Sequence, residues 1–244
     1  MSQALFISDL HLSAERPDTN QQFFRFLGDE ATRAHALYVL GDLFEYWAGD
    51  DELKDPAGDP LAAEVAAGFK ALSGQGVKVW VMHGNRDFLV GKGFLAASGA
   101  RLLDDPSVIK FAGKRVALLH GDTLCTDDHD YQAWRRIARS AAWQDEFLAK
   151  PLSARHEAIT GLREKSKEVI AAKPADIMDV NQTAVTEVFR HLKLRHMIHG
   201  HTHRAARHEH EVDGTLCERW VLPDWYGRGG YLVLDDVGPL LVSF

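Results

Sequence analysis

Short apolar runs that each end in a polar cluster are the feature that most limits what this chain can fold into. Runs of mainly apolar, β-branched residues are typical of buried strands. They are ALFIS (4–8), ALYVL (36–40), VKVWVM (77–82), RVALL (115–119) and HMI (196–198). The polar residues after them are Asp9 and His11, Asp42, Asn85 with Arg86 and Asp87, His120 with Asp122, and His201 with His203. Ligand sites in open α/β sheets form beyond the carboxyl ends of strands, so we expect these clusters to converge on one crevice.

The segments between the runs predict the rest of the architecture. Apolar residues at helical spacing, such as Phe23, Phe24 and Leu27, lie between several runs and indicate an α/β arrangement. From residue 207 onward, alternating stretches separated by VDG and DDVGP predict β-hairpins. We expect these hairpins to build a second, largely antiparallel sheet.

Residues 125–180 interrupt the strands and predict a helical insertion within a single domain of residues 1–244. Tyr131 and Trp134 begin a helical pattern that continues to about Ala172. The chain is therefore expected to combine one α/β domain with one largely helical segment.

The basic residues Arg135, Arg136 and Arg139 in the first predicted helix of this segment permit two interpretations. They accompany Trp134, and the next acidic residue is Asp145. Either they form a solvated face on a helix that packs on the core, or they contact a membrane surface or a lipid.

Composition excludes several classes of protein. Apolar residues make up 45% and charged residues 26% of the chain, which is ordinary for a globular protein. No apolar run approaches the roughly 20 residues that span a bilayer, and the first residues, MSQALFISDLH, do not resemble a secretory leader, so we expect a cytoplasmic protein. Cys125 and Cys217 form no CxxC pair and are interpreted as ordinary thiols. A net charge of −7 makes nucleic acid an improbable partner.

The residue types in the polar clusters indicate a metal site. Carboxylates, imidazoles and an amide oxygen, without a thiolate, favour ions such as Mn²⁺, Fe²⁺ or Zn²⁺. So many candidate ligands are too many for one tetrahedral ion and fit two ions, about 3.5–4 Å apart, that share a carboxylate. The candidates are Asp9, His11, Asp42, Asn85, His120, His201 and His203.

The ordered motifs D-x-H, G-D, G-N, H-G and G-H-x-H, found between residues 7 and 203, resemble those of the calcineurin-like metallophosphoesterases. The resemblance implies a four-layer α-β-β-α sandwich of two mixed sheets with helices on the outer faces. It also implies a dinuclear site at the strand ends, bridged by Asp42. The first ion would be held by Asp9, His11, Asp42 and His203, and the second by Asp42, Asn85, His120 and His201.

The segment HGHTHRAARHEH (199–210) contains five histidines, of which two belong to these motifs. His201 and His203 are two residues apart in an extended segment, so both can face a metal. A supporting role behind the ligands stays open for His199. His208 and His210 are expected to lie on a solvent-facing strand surface.

Arg86 stands in GNRD, where many metallophosphoesterases carry a histidine that assists the leaving group. Arginine keeps its proton near neutral pH, so it is a poor general acid and a good forked partner for phosphate oxygens. We therefore assign Arg86 a catalytic role in charge stabilisation. This role favours a substrate with more than one phosphoryl group.

Longer stretches, among them GDLFEYWAGDD (41–51) and LLHGDTLCTDDHDYQAWR (118–135), resemble the UDP-2,3-diacylglucosamine hydrolase family over essentially the whole chain. The resemblance implies hydrolysis of UDP-2,3-diacylglucosamine to UMP and 2,3-diacylglucosamine 1-phosphate (lipid X) in lipid A biosynthesis. It implies that a metal-activated water attacks the uridine-side phosphorus, with two divalent ions, Mn²⁺ being the family's usual one.

The same resemblance implies a set of substrate contacts and a membrane location. The helical insertion would be an apolar cap over two acyl chains, and the enzyme would bind peripherally to the cytoplasmic face of the inner membrane. The family often has an asparagine where Ile170 stands. The substrate-contacting positions would be Asn85, Arg86, Asp128, Ser166, Ile170, Lys173 and His201.

Two other functions stay open at the level of sequence. A phosphoesterase of the same fold could act on a soluble nucleotide, although such an enzyme would have no need of an apolar cap. A non-catalytic scaffold of this fold could bind a partner protein, although it would have no need of all the metal ligands. We expect no obligate protein partner.

Overall fold

The computed structural model describes residues 3–55, 60–172 and 177–244, and two β-sheets lie at its centre. The first sheet contains, in spatial order, β11 (Pro239–Ser243), β10 (Gly230–Leu234), β1 (Ala4–Ile7), β2 (Ala36–Leu40), β3 (Lys78–Met82) and β4 (Arg101–Leu103). The second contains β5 (Ser107–Phe111), β6 (Lys114–Leu118), β7 (His196–His199), β9 (Thr215–Val221) and β8 (Ala206–Val212).

Both sheets mix parallel and antiparallel pairs. In the first sheet β1 to β4 run parallel, whereas β10 pairs antiparallel with β1 and with β11. In the second sheet β6, β7 and β9 run parallel, and β5 and β8 are antiparallel edge strands. The five apolar runs are confirmed as β1, β2, β3, β6 and β7. Every residue of β1 and β2 is buried, as expected for strands covered on both faces.

The expectation that the C-terminal hairpins build a second sheet of their own is wrong. The hairpin of β8 and β9 extends the second sheet, whereas that of β10 and β11 extends the first. The antiparallel strand β10 covers the free edge of β1, and its Leu232 and Leu234 pack with Phe6 between the sheets. Alternation along a hairpin predicts that it pairs, but not which sheet edge it covers.

The described helices are α1 (Pro17–Gly28), α2 (Leu61–Gly74), α3 (Lys92–Ser98), α4 (His129–Ala138), α5 (Ala141–Leu148), α6 (Leu152–Ala172) and α7 (Gln182–Leu192). The helical pattern predicted from Tyr131 to Ala172 is thus present as α4, α5 and α6. None of the seven helices in the described ranges has the length and apolar content needed to cross a bilayer.

Three apolar cores separate four layers in the predicted α-β-β-α order. Helices α1, α2 and α3 pack on the outer face of the first sheet, where Phe23 and Phe69 contact the cluster around Leu37. Phe6 and its neighbours fill the space between the sheets. Helix α7 covers the outer face of the second sheet through Phe189. This sandwich fixes the strand ends from which the candidate site is built.

Replacing Phe69 with alanine is expected to lower the free energy of unfolding by about 3–5 kcal/mol. The ring is 0% exposed and packs edge-on against Phe23 and Phe94, so its removal leaves a cavity. Urea unfolding followed by circular dichroism measures the change. Leu240→Ala, at a side chain 63% exposed, is the control and should change stability by no more than about 0.5 kcal/mol. A Phe69→Ala loss as small as the control's would contradict this packing.

Candidate active site

The polar clusters come together where β1, β2, β3, β6 and β7 end. Backbone hydrogen bonds join neighbouring loops within each sheet. Asp9 N–H donates to the Gly41 carbonyl at 3.1 Å, and Gly200 N–H donates to the His120 carbonyl at 2.8 Å. The N–H of His201 donates to Asp9 Oδ2 at 2.9 Å, which links the first and second sheets across the crevice.

Asp9, His11 and His203 form one half of the cluster. His203 Nε2 lies 3.4 Å from Asp9 Oδ1, and the rings of His11 and His203 meet edge to face with centroids 5.4 Å apart. Ser8 Oγ–H donates to Asp9 Oδ2 at 2.6 Å, so that oxygen is satisfied. Within the described residues, Asp9 Oδ1 and His11 Nε2 are buried without a hydrogen-bond partner. A cation bound between them would satisfy both atoms.

Asn85, His120 and His201 form the other half. Asn85 Oδ1 lies 3.0 Å from His120 Nε2 and 2.9 Å from His201 Nδ1. His120 Nδ1 faces the Leu40 carbonyl at 2.9 Å, and a carbonyl can only accept, so this nitrogen carries the proton. When the ring is neutral, as it must be to bind a metal, Nε2 carries the lone pair and can face a ligand on the side of Asn85.

Asp42 lies between the two halves. Its Oδ2 is 3.7 Å from His11 Nε2, and its Oδ1 is 3.9 Å from His120 Nε2. Asp9, Asp42 and His120 offer ligand atoms that all lie within 4.8 Å of one another, as do Asp9, His11 and His203. The structure therefore brings together all seven residues that the sequence predicts as ligands.

The backbone of this cluster is unusual. Asp9, His11, Asp42, His201 and His203 have φ angles of 55°, 51°, 52°, 68° and 55°, in the left-handed region that most residues avoid. Such conformations persist where the surrounding structure enforces them, and they concentrate at functional sites. Here they turn the backbone sharply at the point where it leaves each strand.

Two glycines allow the loops to approach each other closely. A Cβ atom on Gly84 would collide with the backbone N and Oδ1 of Asp42, and one on Gly200 would collide with Ser8 Oγ and Asp9 Oδ2. The carboxylate of Asp87 then connects neighbouring loops by accepting the N–H groups of Leu43 at 2.7 Å and Gly84 at 2.9 Å. Asp87 thus acts as a buried backbone clamp.

Burial and neighbouring charges shift the pKa values in this cluster. Burial alone would raise the pKa of Asp9, but His203 holds it well below its usual range. Burial alone would lower the pKa of His120, but Asp42 and the other carboxylates raise it to about 9. The pKa of His201 is lowered to about 4 by burial and by His120. The cluster favours positive charge next to Asp42, which is what a metal cation would supply.

Asp122 supports the cluster from the side of the helical segment, and no sequence argument assigned it this role. It is 0% exposed, accepts Tyr131 O–H at 2.5 Å and is ion-paired with Arg135 Nε at 2.7 Å. The ring of Tyr131 stacks on His201 with centroids 6.0 Å apart. Its place in the HGD motif, directly after His120 and Gly121, was the sequence feature that could have indicated this role.

The three arginines of the first inserted helix do not share one solvated face. Arg135 is held by Asp122, and Arg139 donates to the Gly84 carbonyl at 2.8 Å, so both face the cluster. Only Arg136 is exposed. The interpretation of all three as a solvated face is therefore wrong, because two of them bond to buried acceptors.

Glu45 is a second residue that sequence motifs did not single out. It is 8% exposed and lies beside His11, Arg163 and Tyr226. Burial alone would raise the pKa of Glu45, but His11 and the nearby Arg86 and Arg163 lower it to about 2. The carboxylate is therefore ionised at neutral pH.

The predicted substrate contacts divide into three groups. Asn85 and His201 belong to the cluster. Arg86 lies next to it: its backbone N–H donates to Asp42 Oδ1 at 2.8 Å, and its Nε is buried without a hydrogen-bond partner among the described residues. Asp128 caps α4, accepting the Tyr131 N–H at 3.1 Å. The remaining three positions lie outside the residues whose side chains the structure describes: Ser166, Ile170 and Lys173.

The other histidines of the 199–210 segment lie elsewhere. His199 is 0% exposed, with Nδ1 2.8 Å from the Gly200 carbonyl and Nε2 3.0 Å from Arg219. It therefore supports the loop that carries the candidate ligands His201 and His203. His208 and His210 are half-buried, and His210 accepts from Arg219 Nε at 3.2 Å, so their expected exposure to solvent is wrong.

A sandwich of two mixed sheets with an Asp/His/Asn cluster at its strand ends defines a metallophosphoesterase, and residues 3–205 match the family model described as calcineurin-like phosphoesterase. The chain belongs to this family. Identity of 49% over 94% or more of its length also places it among the UDP-2,3-diacylglucosamine hydrolases. It is a metal-dependent hydrolase, and the Asp/His cluster is suited to divalent metal ions.

Relatives named UDP-2,3-diacylglucosamine hydrolase match nearly the whole chain. The protein from Aromatoleum aromaticum is 49% identical over 97% of this chain and 94% of its own. The protein from Aeromonas hydrophila is 49% identical over 94% of this chain and 93% of its own. One from Escherichia coli is 47% identical over 96% of both chains.

Acidification is expected to destabilise the fold through His199. Burial and the charge of Arg219 lower the pKa of His199 to about 3, whereas an unfolded histidine has a pKa of about 6.5. Between these pH values the unfolded state binds more protons, so the free energy of unfolding should fall as pH decreases from about 6.5. This residue alone would contribute up to about 1.4 kcal/mol per pH unit.

Urea unfolding at about pH 7, 6 and 5 measures this dependence. His199→Gln removes the titrating group, so its free energy of unfolding should depend less steeply on pH than that of the wild type. Equal slopes for the two proteins would show that His199 is not the source.

Proposed function

We propose that this chain hydrolyses the diphosphate bond of UDP-2,3-diacylglucosamine, releasing UMP and 2,3-diacylglucosamine 1-phosphate, in lipid A biosynthesis. The observation that carries the proposal is near-full-length identity of 49% to proteins of that name, in a chain whose candidate ligands converge on one cluster. The sugar phosphate is a stable anion when it leaves, so little protonation of the leaving group is required.

The proposal includes two divalent ions, most simply Mn²⁺. Asp9, His11, Asp42 and His203 would hold one, and Asp42, Asn85, His120 and His201 the other. Three observations support this assignment: Asp9 Oδ1 and His11 Nε2 have no hydrogen-bond partner among the described residues, His120 Nδ1 faces a backbone carbonyl so that Nε2 would be its ligating nitrogen, and the donors are a mixture of oxygen and nitrogen. When bound, such ions would supply an activated water and Lewis-acid stabilisation for attack on the uridine-side phosphorus.

Arg86 would stabilise charge on the diphosphate. Its backbone N–H is anchored on Asp42, and its Nε lies buried with no hydrogen-bond partner among the described residues. Arg86 Nε–H can therefore donate to a phosphate oxygen without first breaking another hydrogen bond. Substrate contacts from Asp128, Ser166, Ile170 and Lys173 are part of the same proposal.

Residues 125–180 would form the cap over the acyl chains, within a single domain of residues 1–244. Support comes from aromatic side chains on α4 and α5: Trp134 packs on Trp143 with ring centroids 5.5 Å apart, and Trp143 lies 6.0 Å from Phe88, which follows the GNRD motif. An apolar wall beside the cluster suits a lipid-linked substrate better than a soluble nucleotide.

Hydrolysis in ¹⁸O-labelled water tests the reaction. Metal-stripped protein is incubated with UDP-2,3-diacylglucosamine, with and without Mn²⁺, and both products are analysed for ¹⁸O by mass spectrometry. We expect label in UMP, and only with metal. Label in the sugar phosphate would move the attack to the other phosphorus. Turnover of soluble dinucleotides with none of the lipid-linked substrate would favour the soluble-nucleotide alternative.

Two substitutions separate the roles assigned to the ligands and to Arg86. Arg86→Ala should lower kcat/KM by about a hundredfold or more, because a donor aimed at developing charge is lost, yet leave metal content unchanged. Asp42→Ala should lower both metal content and turnover, because it removes the carboxylate between the two halves. Mass spectrometry of metal content alongside kinetics checks this. Normal activity in metal-replete Asp42→Ala would contradict the dinuclear arrangement.

The proposal also includes peripheral binding to the cytoplasmic face of the inner membrane. Arg136 and its neighbour Ile137, which is 54% exposed, are the supporting surface. Cosedimentation with vesicles containing anionic lipid should weaken with salt and with Arg136→Glu. Arg33→Glu, at the opposite end of β2 from Asp42, is the control. Equal loss of binding in both variants would argue against this surface.

A further inference from the structure

We infer that Glu45 is a positioning residue that orients the imidazole of His11 and couples it to helix α6 through Arg163. The inference rests on the proposed function, which assigns His11 to one of the metal ions. It adds a residue that lies outside the predicted set of ligands and substrate contacts.

The loop that carries Glu45 is fixed relative to His11 by a short ladder of backbone hydrogen bonds. His11 N–H donates to the Asp42 carbonyl at 3.0 Å, and Leu12 N–H donates to the Leu43 carbonyl at 2.9 Å. Glu45 N–H returns a bond to the Leu12 carbonyl at 3.0 Å. The two loops therefore move together, and the position of the Glu45 side chain beside His11 is set by main-chain bonds.

The two nitrogens of His11 face two different carboxylates. Nδ1 lies 3.2 Å from Glu45 Oε2, a close contact rather than an aligned hydrogen bond, and Nε2 lies 3.7 Å from Asp42 Oδ2. His11 is 2% exposed, so solvent offers no alternative partner. A carboxylate beside Nδ1 favours the tautomer that carries its proton there, which leaves Nε2 free to bind a metal.

The carboxylate of Glu45 is itself held from two other sides. Arg163, from α6, contacts Oε1 at 2.9 Å, and Tyr226 O–H donates to Oε2 at 3.2 Å. The ring of Tyr226 also lies against His11, with centroids 4.9 Å apart. One carboxylate thus divides its oxygens between a metal-facing imidazole and a helix of the inserted segment. A displacement of α6 would therefore move the Glu45 carboxylate and change its contact with His11.

The competing explanation is that Glu45 only tethers α6, and that its contact with His11 is incidental. The chain offers a matched control. Glu52 is also a partly buried glutamate that contacts α6: its Oε1 lies 3.1 Å from His156 Nε2 and accepts the Ala48 N–H at 2.7 Å. Loss of the Glu52 carboxylate would weaken the attachment of α6 as well, but Glu52 contacts none of the predicted ligands in the contacts described above.

The test measures Mn²⁺ binding rather than activity alone. Full-length wild type, Glu45→Gln, Arg163→Gln and Glu52→Gln are stripped of metal and titrated with Mn²⁺ by calorimetry, with melting temperatures recorded in parallel. A glutamine amide can donate to Nδ1 and favour the tautomer whose Nε2 is protonated. Glu45→Gln should therefore weaken one of the Mn²⁺ affinities by about tenfold to a hundredfold. Arg163→Gln should weaken it less, and Glu52→Gln should match the wild type.

Each result has a defined meaning. Equal Mn²⁺ affinities in wild type and Glu45→Gln would overturn the inference and leave the proposed function intact. Equal losses in Glu45→Gln and Glu52→Gln would reduce Glu45 to a helix tether. An unaltered affinity in Arg163→Gln would remove the coupling to α6. A wild type that bound no Mn²⁺ would overturn the proposed function itself.

Discussion

Buried carboxylates held close together are the constraint on which the rest of this structure depends. Asp9, Asp42 and Asp122 are each no more than 2% exposed. Charges removed from water in this way are unfavourable unless hydrogen bonds and opposite charges compensate them. The protein supplies part of that compensation through imidazoles and through Arg135, and divalent ions would supply the remainder. The sandwich can be understood as the frame that keeps these mutually repelling groups in place.

The strands, and the convergence of the candidate ligands at their ends, could be predicted from the sequence because both rest on local patterns. A strand such as β2, buried along its whole length, needs a continuous apolar run, and Asp42 had to follow that run directly. The supporting residues could not be predicted in this way. Glu45 acts through Arg163, 118 residues away in sequence. Asp122 acts through Tyr131 and Arg135 of the first inserted helix, and no spacing rule connects either carboxylate to its partners.

Sheet membership was the least predictable part of the fold. The alternation in β8 to β11 identifies hairpins, but long-range packing decided that β10 would close the edge of β1. The left-handed conformations of the candidate ligands were equally unpredictable, because they arise from loops in contact across the crevice.

Helices α4 and α6 are attached to the loops of the candidate ligands by cations rather than by apolar contacts alone. Arg139 bonds the carbonyl of Gly84, next to Asn85, and Arg163 pairs with Glu45, three residues after Asp42. Arg155, only 2% exposed, donates to the Ala48 carbonyl further along the same loop. A displacement of α4 or α6 would thus be transmitted to the loops that carry the candidate ligands.

The left-handed backbone at five of the candidate ligands has a consequence for how such a centre can change. Aspartate, asparagine and histidine tolerate this conformation better than other non-glycine residues do. They are also hard or borderline donors that suit manganese and its neighbours. Replacement by cysteine, to create a site for a softer metal, would place a residue that disfavours positive φ angles at these positions and would strain the backbone. The choice of metal in this protein is therefore constrained by its Ramachandran angles as well as by its side chains.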